Sequence, residues 1–477
     1  MRTDAHERAR LKQNSHDKGS QGVNEGVKAE AWERFYEFTG TTLQDFPLPV
    51  SLPVERGRAL DSLAWRFGES TPAATLAART PTRESLDDAR HVSQAVRAEM
   101  VARQEELDWA VYRLYGLVDD DLTYRGDDLP GLALAERAFE IVLARRVDSG
   151  AERTAWFERH DSSPITEIPG HWPAAYRELV GRRIELIESH PYLKLLERPE
   201  HKRRWAAKPW EEQEERALRG WLVDRLEDRR FWFDRAGAPT PRSVAQLADD
   251  VSRDAELVSV LALWEGRPDV SVVASLQRLL AEEAVPYLAA YRYTESGLRK
   301  RESWEHTWAL QRREDRGERF GTGPDNPPIP VPPKYTSADF ARKEYWAHRG
   351  KLDLPKERFV MYPEAGRDND PTPVLGWAGW GHSQQAFALD QLLRWREAEG
   401  APDEKLIPLV VGLAELLPWV EQWHTEPDAF YGGASAAEFF REQLDLRSRQ
   451  VERTREQLAA WRPAPPRRGR GRKAKTA

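Results

Sequence analysis

The 477 residues give room for two to four domains of ordinary size, each able to bury its own core. A net charge of −7 argues against a uniformly basic nucleic-acid coat, and the absence of cysteine excludes disulfides and thiolate metal sites, as suits the cytosol. With 32% charged and 40% hydrophobic residues the chain reads as globular with a wet surface, and its 19 tryptophans are several-fold more than usual.

Residues 1–30 are polar and glycine-spotted. They read either as a disordered chain end or as a loop whose Lys12 and Lys18 touch phosphates. In WERFYEFTG, Trp32, Tyr36 and Phe38 share one parity, which predicts a short strand ended by Gly40. Pro47, Pro49 and Pro53 then stop regular pairing, and a helix is expected from about Glu55. From Ser85 to Leu117 apolar residues recur at helical spacing, among them Leu86, Val92, Val96, Met100, Leu107, Val111 and Leu114, with Gly116 placed to close the helix and Leu117 as its hydrophobic partner.

Helices separated by turns are expected over 131–235. Within them, ELVGRRIELIESHPYLKLLERPEHKRRW alternates acids with arginines, the pattern of a solvated, ion-paired face. Lys202, Arg203 and Arg204 form a local basic cluster beside Trp205 and Trp210, suited to following a nucleic-acid backbone while the rings stack on bases. A plain helix surface, neutralised by Glu211 to Glu215 and anchored by its tryptophans, is the competing reading.

A further helical block covers 241–300, and Trp304 and Trp308 mark one aromatic stripe on a charge-rich helix. GTGPDNPPIPVPPKY breaks the pattern and is expected to be a stiff connector at a domain boundary. Tyr345 to His382 is the densest aromatic stretch, in which Arg367-Asp368-Asn369-Asp370-Pro371 is turn chemistry rather than a metal loop. Helices follow over Ser383–Glu399 and Leu406–Trp423, then a turn at Tyr431-Gly432-Gly433 and a terminal helix ending near Trp461. The tail beyond carries Arg467, Arg468, Arg470, Arg472 and Lys473 with no acid, so it is expected to be disordered and to attract polyanions without reading sequence. The strongest apolar run, Leu406 to Val420, is short and interrupted, so no membrane partner is expected.

Candidate chemistry is sparse. Asn326-Pro327-Pro328-Ile329 approximates the Asn-Pro-Pro-aromatic turn of amino-methylating enzymes, but Ile329 cannot stack on a flipped base and the segment runs on into more proline. No alternation of strands and helices offers a Gly-rich nucleotide turn. His160-Asp161-Ser162-Ser163 places triad-type residues side by side, and adjacency does not assemble a triad. No catalytic residue and no metal ligand is assigned.

Three phrases carry a family resemblance: RGKLDLPKERFVMYP, RDNDPTPVLGWAGW and ELLPWVEQWHTEPDAFYGG. They resemble the C-terminal region of the PglX family, adenine-specific DNA methyltransferases of phage-growth-limitation (type-two BREX) systems. WERFYEFTGTTLQDFPLP is similar to the end of a target-recognition domain of restriction-modification proteins, and EELDWAVYRLYGL to the helix that follows one. The resemblance implies that the catalytic domain, with its S-adenosylmethionine site, is expected N-terminal to residue 1. No cofactor is therefore assigned to the chain itself, which is expected to be inactive alone.

These observations lead to a mainly α, multi-domain chain with a short β remnant near the N-terminus and an aromatic-rich, loop-containing α domain at the C-terminus. The expected divisions are a recognition-domain remnant (1–60), a helical spacer (61–235), a helical block (236–320), a Pro-rich linker (321–337), the aromatic-rich domain (338–461) and the basic tail (462–477). DNA, an upstream-encoded methyltransferase half and other BREX proteins are the expected partners, in the cytoplasm. The alternative is a non-enzymatic helical scaffold that binds other defence proteins through the aromatic domain.

Overall fold

The computed structural model describes residues 30, 32, 39, 40 and 44–464. The strand expected over Trp32–Phe38 falls largely outside them. Two compact units divide the chain, Met1–Ala217 and Leu218–Ala477. Both are dominated by helices, as the periodicity implies; those of seven residues or more are numbered in order.

In the first unit, α1 (Val54–Glu69) and α2 (Pro72–Ala78) precede the 32-residue α3 (Arg83–Leu114). The α3 start is a reciprocal cap: Ser85 N–H donates to Thr82 Oγ1 at 3.1 Å and Thr82 N–H to Ser85 Oγ at 2.9 Å. Its end is the expected one. Gly116 adopts φ +66°, and the Leu117 amide reaches back to the Tyr112 carbonyl at 2.9 Å, which satisfies carbonyls the helix leaves open. Leu86, Val96, Met100 and Trp109 are buried, whereas Val92 and Leu114, expected on the same stripe, are exposed.

With α4 (Ala138–Asp148) and α5 (Ala174–Ser189), α3 closes a core around Trp109, Phe139, Trp156 and Tyr176. The solvated charge pattern expected over this stretch holds for Arg182, Glu185 and Glu188, which are exposed, but not for Arg183. Arg183 lies on the buried face of α5 with Tyr176, Val180 and Ile187, fully enclosed. Its Nη2 is 2.7 Å from Glu106 Oε1, and its Nε donates to the Leu122 carbonyl at 3.0 Å. The guanidinium also lies near the rings of Trp109 and Tyr176, at 5.4 and 5.9 Å. Alternating charge in sequence cannot signal such burial, because the partners come from α3 and the loop after it.

Helix α6 (Trp210–Leu226) leads into the second unit. There α7 (Val244–Val251), α8 (Ala255–Glu265), α9 (Val272–Ala281), α10 (Glu295–Asp315) and α11 (Lys343–Arg349) are interspersed along the chain with the strands of a small sheet. Its strands are β1 (Arg242–Ser243), β2 (Ala284–Pro286), β3 (Phe359–Met361) and β4 (Val374–Trp377), in the order β1-β4-β3-β2. β2 and β3 are parallel and the other pairs antiparallel, with Phe359 opposite Trp377. Strands of two to four residues are too short to show a period, so this part of the expected aromatic loops reads as irregular in sequence.

The Pro-rich segment does not separate two bodies. Strands from both sides of it share the sheet, and it lies along α10: Thr307 Oγ1 donates to the Pro330 carbonyl at 3.1 Å, Trp304 Nε1 to Pro333 at 2.8 Å and Lys300 Nζ to Lys334 at 3.1 Å. Extended proline-rich backbone leaves its carbonyls unpaired, and the helix side chains supply donors.

Helices α12 (His382–Ala398), α13 (Asp403–Trp423) and α14 (Ala436–Gln450) build the second large core. α13 is long and apolar enough to cross a membrane by length and composition, but Leu409, Val410, Leu413 and Val420 are enclosed by protein, as in a core helix.

Candidate functional site

The second unit has a cleft of about 380 Å³ at the C-terminal end of α13. Its construction starts with Asp428, whose Oδ1 accepts the Phe430 amide at 2.8 Å and opens a short 3-10 turn over Ala429–Tyr431. Gly432 and Gly433, at φ +71° and +92°, return the chain to Ser435, which caps α14. Trp423, His424, Glu426, Phe430 and Tyr431 line one side, with Ser383 and Gln384 from the first turn of α12 on the other.

Trp419 and Trp423 stand one turn apart on α13 and so share a face. Trp419 is covered. The Arg312 guanidinium sits 4.4 Å from its ring centroid, His382 stacks on it at 5.6 Å and Trp308 meets it edge-on at 5.2 Å. Trp423 is 63% exposed and Phe430 is 48% exposed. Burial, then the neighbouring His424 and Arg312, depress the pKa of His382, which favours its neutral form. Burial and the Asp428 carboxylate push the Tyr431 hydroxyl up to about 12, so it stays protonated at neutral pH.

The residues expected to meet DNA are distributed differently. Lys202 is enclosed, with Nζ 2.7 Å from Glu197 Oε1 and 2.8 Å from Asp108 Oδ2. Burial opposes its charge, but the two carboxylates outweigh it and hold the ammonium protonated. Arg204 donates to the Trp32 carbonyl and stacks on that ring, while Arg203 is exposed with its guanidinium 4.4 Å from the Trp205 ring centroid. Lys12, Lys18, Arg467, Arg468, Arg470, Arg472 and Lys473 lie outside the described residues.

Other candidate motifs serve the fold. Asn326 Nδ2 donates to the Arg319 carbonyl at 2.6 Å and to Thr322 Oγ1 at 2.9 Å, closing its own turn. Asp370 Oδ1 accepts the Thr372 amide at 3.0 Å, as the turn reading implies. His160 Nδ1 lies 2.6 Å from the Trp156 carbonyl oxygen. The space beside the glycines of β4 and of the turn into α12 is filled by rings of the same chain. A Cβ on Gly376 would lie 2.4 Å from the Trp380 ring, and one on Gly379 would lie 2.4 Å from the Trp377 ring. Among the described residues, no group of three or more His, Asp or Glu is placed to hold a metal. The cleft itself was missed in sequence, although the helical spacing of Trp419 and Trp423 ahead of Glu426 and Asp428 is its signal.

Residues 100–473 match the family model described as a domain of unknown function, DUF7008. The chain is also 47% identical over 468 residues to the adenine-specific methyltransferase PglX of Streptomyces coelicolor. That alignment covers 95% of this chain and 37% of the relative, so the chain spans just over a third of its length. The resemblance carried by the three aromatic phrases is borne out. No solved structure matches the chain.

Proposed function

We propose, on the premise that this chain belongs to the DUF7008 family, that it is the DNA-positioning and partner-docking part of a PglX-type, site-specific adenine-N6 DNA methyltransferase of a bacterial anti-phage system. The extent of the match carries this reading: nearly the whole chain aligns, but against just over a third of the methyltransferase. S-adenosylmethionine and the catalytic Asn-Pro-Pro-aromatic turn are assigned to the remainder of such an enzyme. Two observations support that division. The Asn326 amide is committed to its own turn, and Gly376 in β4 and Gly379 after it make room for tryptophans of the same chain rather than for a cofactor. Exposed Arg203 and the acid-free segment Arg467–Lys473 supply phosphate contacts that position DNA without reading its sequence. The site of action is the cytoplasm, within a phage-growth-limitation (BREX) assembly.

The test is to produce this chain and the remaining part of a PglX relative separately and together, and to follow transfer of labelled methyl groups from S-adenosylmethionine to duplex DNA. Methylation is expected only when both are present, with duplex affinity weakened when this chain is left out. Methyl transfer, or tight S-adenosylmethionine binding, by this chain alone would overturn the reading. The exposed rings of Trp423 and Phe430 favour a second reading, a scaffold for other defence proteins. It gains if the catalytic part methylates equally well without this chain.

A further inference from the structure

We propose that the cleft at the end of α13 is a receptor for a cationic side chain, an arginine or lysine presented by a basic segment of a partner protein. This goes beyond the methyltransferase reading and stands on the cleft alone.

The electrostatics select the ligand's sign. Glu426 and Asp428 are exposed carboxylates at the cleft, neither with a cationic partner among the described residues, and no lysine or arginine lines the cavity. The nearest model for the occupant is inside the protein. One helical turn before Trp423, Trp419 already holds a guanidinium, that of Arg312, at 4.4 Å. Trp423 presents the same kind of ring on the same face, with no ring or guanidinium seated against it among the described residues. An indole face is the best aromatic partner for a cation, and nearby carboxylates add attraction while leaving the ring accessible. A nucleotide fits less well, because its phosphates would approach the two carboxylates without a compensating cation.

The experiment uses the full chain and a fluorescein-labelled octa-arginine peptide, followed by anisotropy at about 0.15 M salt. Trp423→Ala is expected to weaken binding about tenfold, with Trp423→Phe intermediate. Glu426→Gln with Asp428→Asn should weaken it and flatten its salt dependence, since asparagine keeps an oxygen for the Phe430 amide. Glu404→Gln with Glu442→Gln, equal in charge change but away from the cleft, should leave binding as it was. Because Trp423 is exposed, unchanged circular dichroism will show that the variants fold. Equal loss in the remote pair would reduce the effect to general charge, and indifference to Trp423→Ala would remove the cleft from it. Competition by adenosine monophosphate would assign a nucleobase instead. If the peptide binds only after residues 465–477 are deleted, the occupant is the chain's own basic segment. Each of these four results overturns the proposal.

Discussion

The ammonium of Lys202 is held 2.7 Å from Glu197 and 2.8 Å from Asp108, although its neighbour in sequence, Arg203, faces solvent. Removing that ammonium leaves two carboxylates without their counter-charge in a desolvated site. Lys202→Met is therefore expected to cost about 3–5 kcal/mol of stability, whereas Arg203→Ala should stay within about 0.5 kcal/mol. Denaturant melts of the two variants check the contrast.

DNA affinity should follow the opposite order. Each phosphate contact adds about 0.9 to the slope of log affinity against log salt. Deleting residues 465–477 is expected to reduce that slope by several contacts' worth, and Arg203→Ala by about one. Titration of a duplex at several salt concentrations measures both, and an unchanged slope after the deletion would exclude that segment from DNA binding.

Glu364 gives the second unit a dependence on pH. Burial pushes its carboxyl up to about 7, and Oε2 has no hydrogen-bond partner. Between the ordinary glutamate range and pH 7 the folded protein keeps a proton that the unfolded chain has released, so stability falls as pH rises through that window. Glu364→Gln should match the parent near pH 4 and melt a few degrees higher at pH 8. Calorimetry at the two values decides it.

His382 acts with the opposite sign. Its depressed pKa means that the unfolded chain takes up a proton first as pH falls through about 6.5, so the stability it contributes is present above that value and is lost below it. His382→Phe keeps a ring against Trp419 and should flatten this part of the profile. An unaltered acid limb in the variant would assign the effect elsewhere, His160 being the next candidate because burial lowers its pKa too.

Gly376→Ala tests the packing of β4. The added methyl would meet the Trp380 ring at 2.4 Å and Tyr362 at 3.0 Å, and both rings are buried. Overpacking of this kind costs about 1–3 kcal/mol. Thermal melting should show the loss, while Gly57→Ala, on exposed α1 surface with open space around it, should be neutral or slightly stabilising.

Local chemistry made much of the helical fold readable. The end of α3 follows from Gly116 and Leu117, the α12 and α13 spans from their apolar spacing, and the Asp370 turn from the proline behind it. Each depends on residues within about one turn of one another. The sheet was not readable, since strands this short carry no periodic signal and their partners are far apart in sequence: β1 at 242–243 pairs with β4 at 374–377.

Amino-acid order alone established a helix-rich chain that resembles the C-terminal region of PglX methyltransferases and carries an acid-free basic segment at 467–473. Tertiary structure alone decided which charges are available. Lys202 pairs with a carboxylate 94 residues away and Arg183 with one 77 residues away, while Trp419 is half-buried beneath Arg312 and Trp423, four residues on, is exposed. The reason is physical: helix spacing and caps act over a few residues, whereas burying a charge requires a counter-charge that only the folded chain brings within reach.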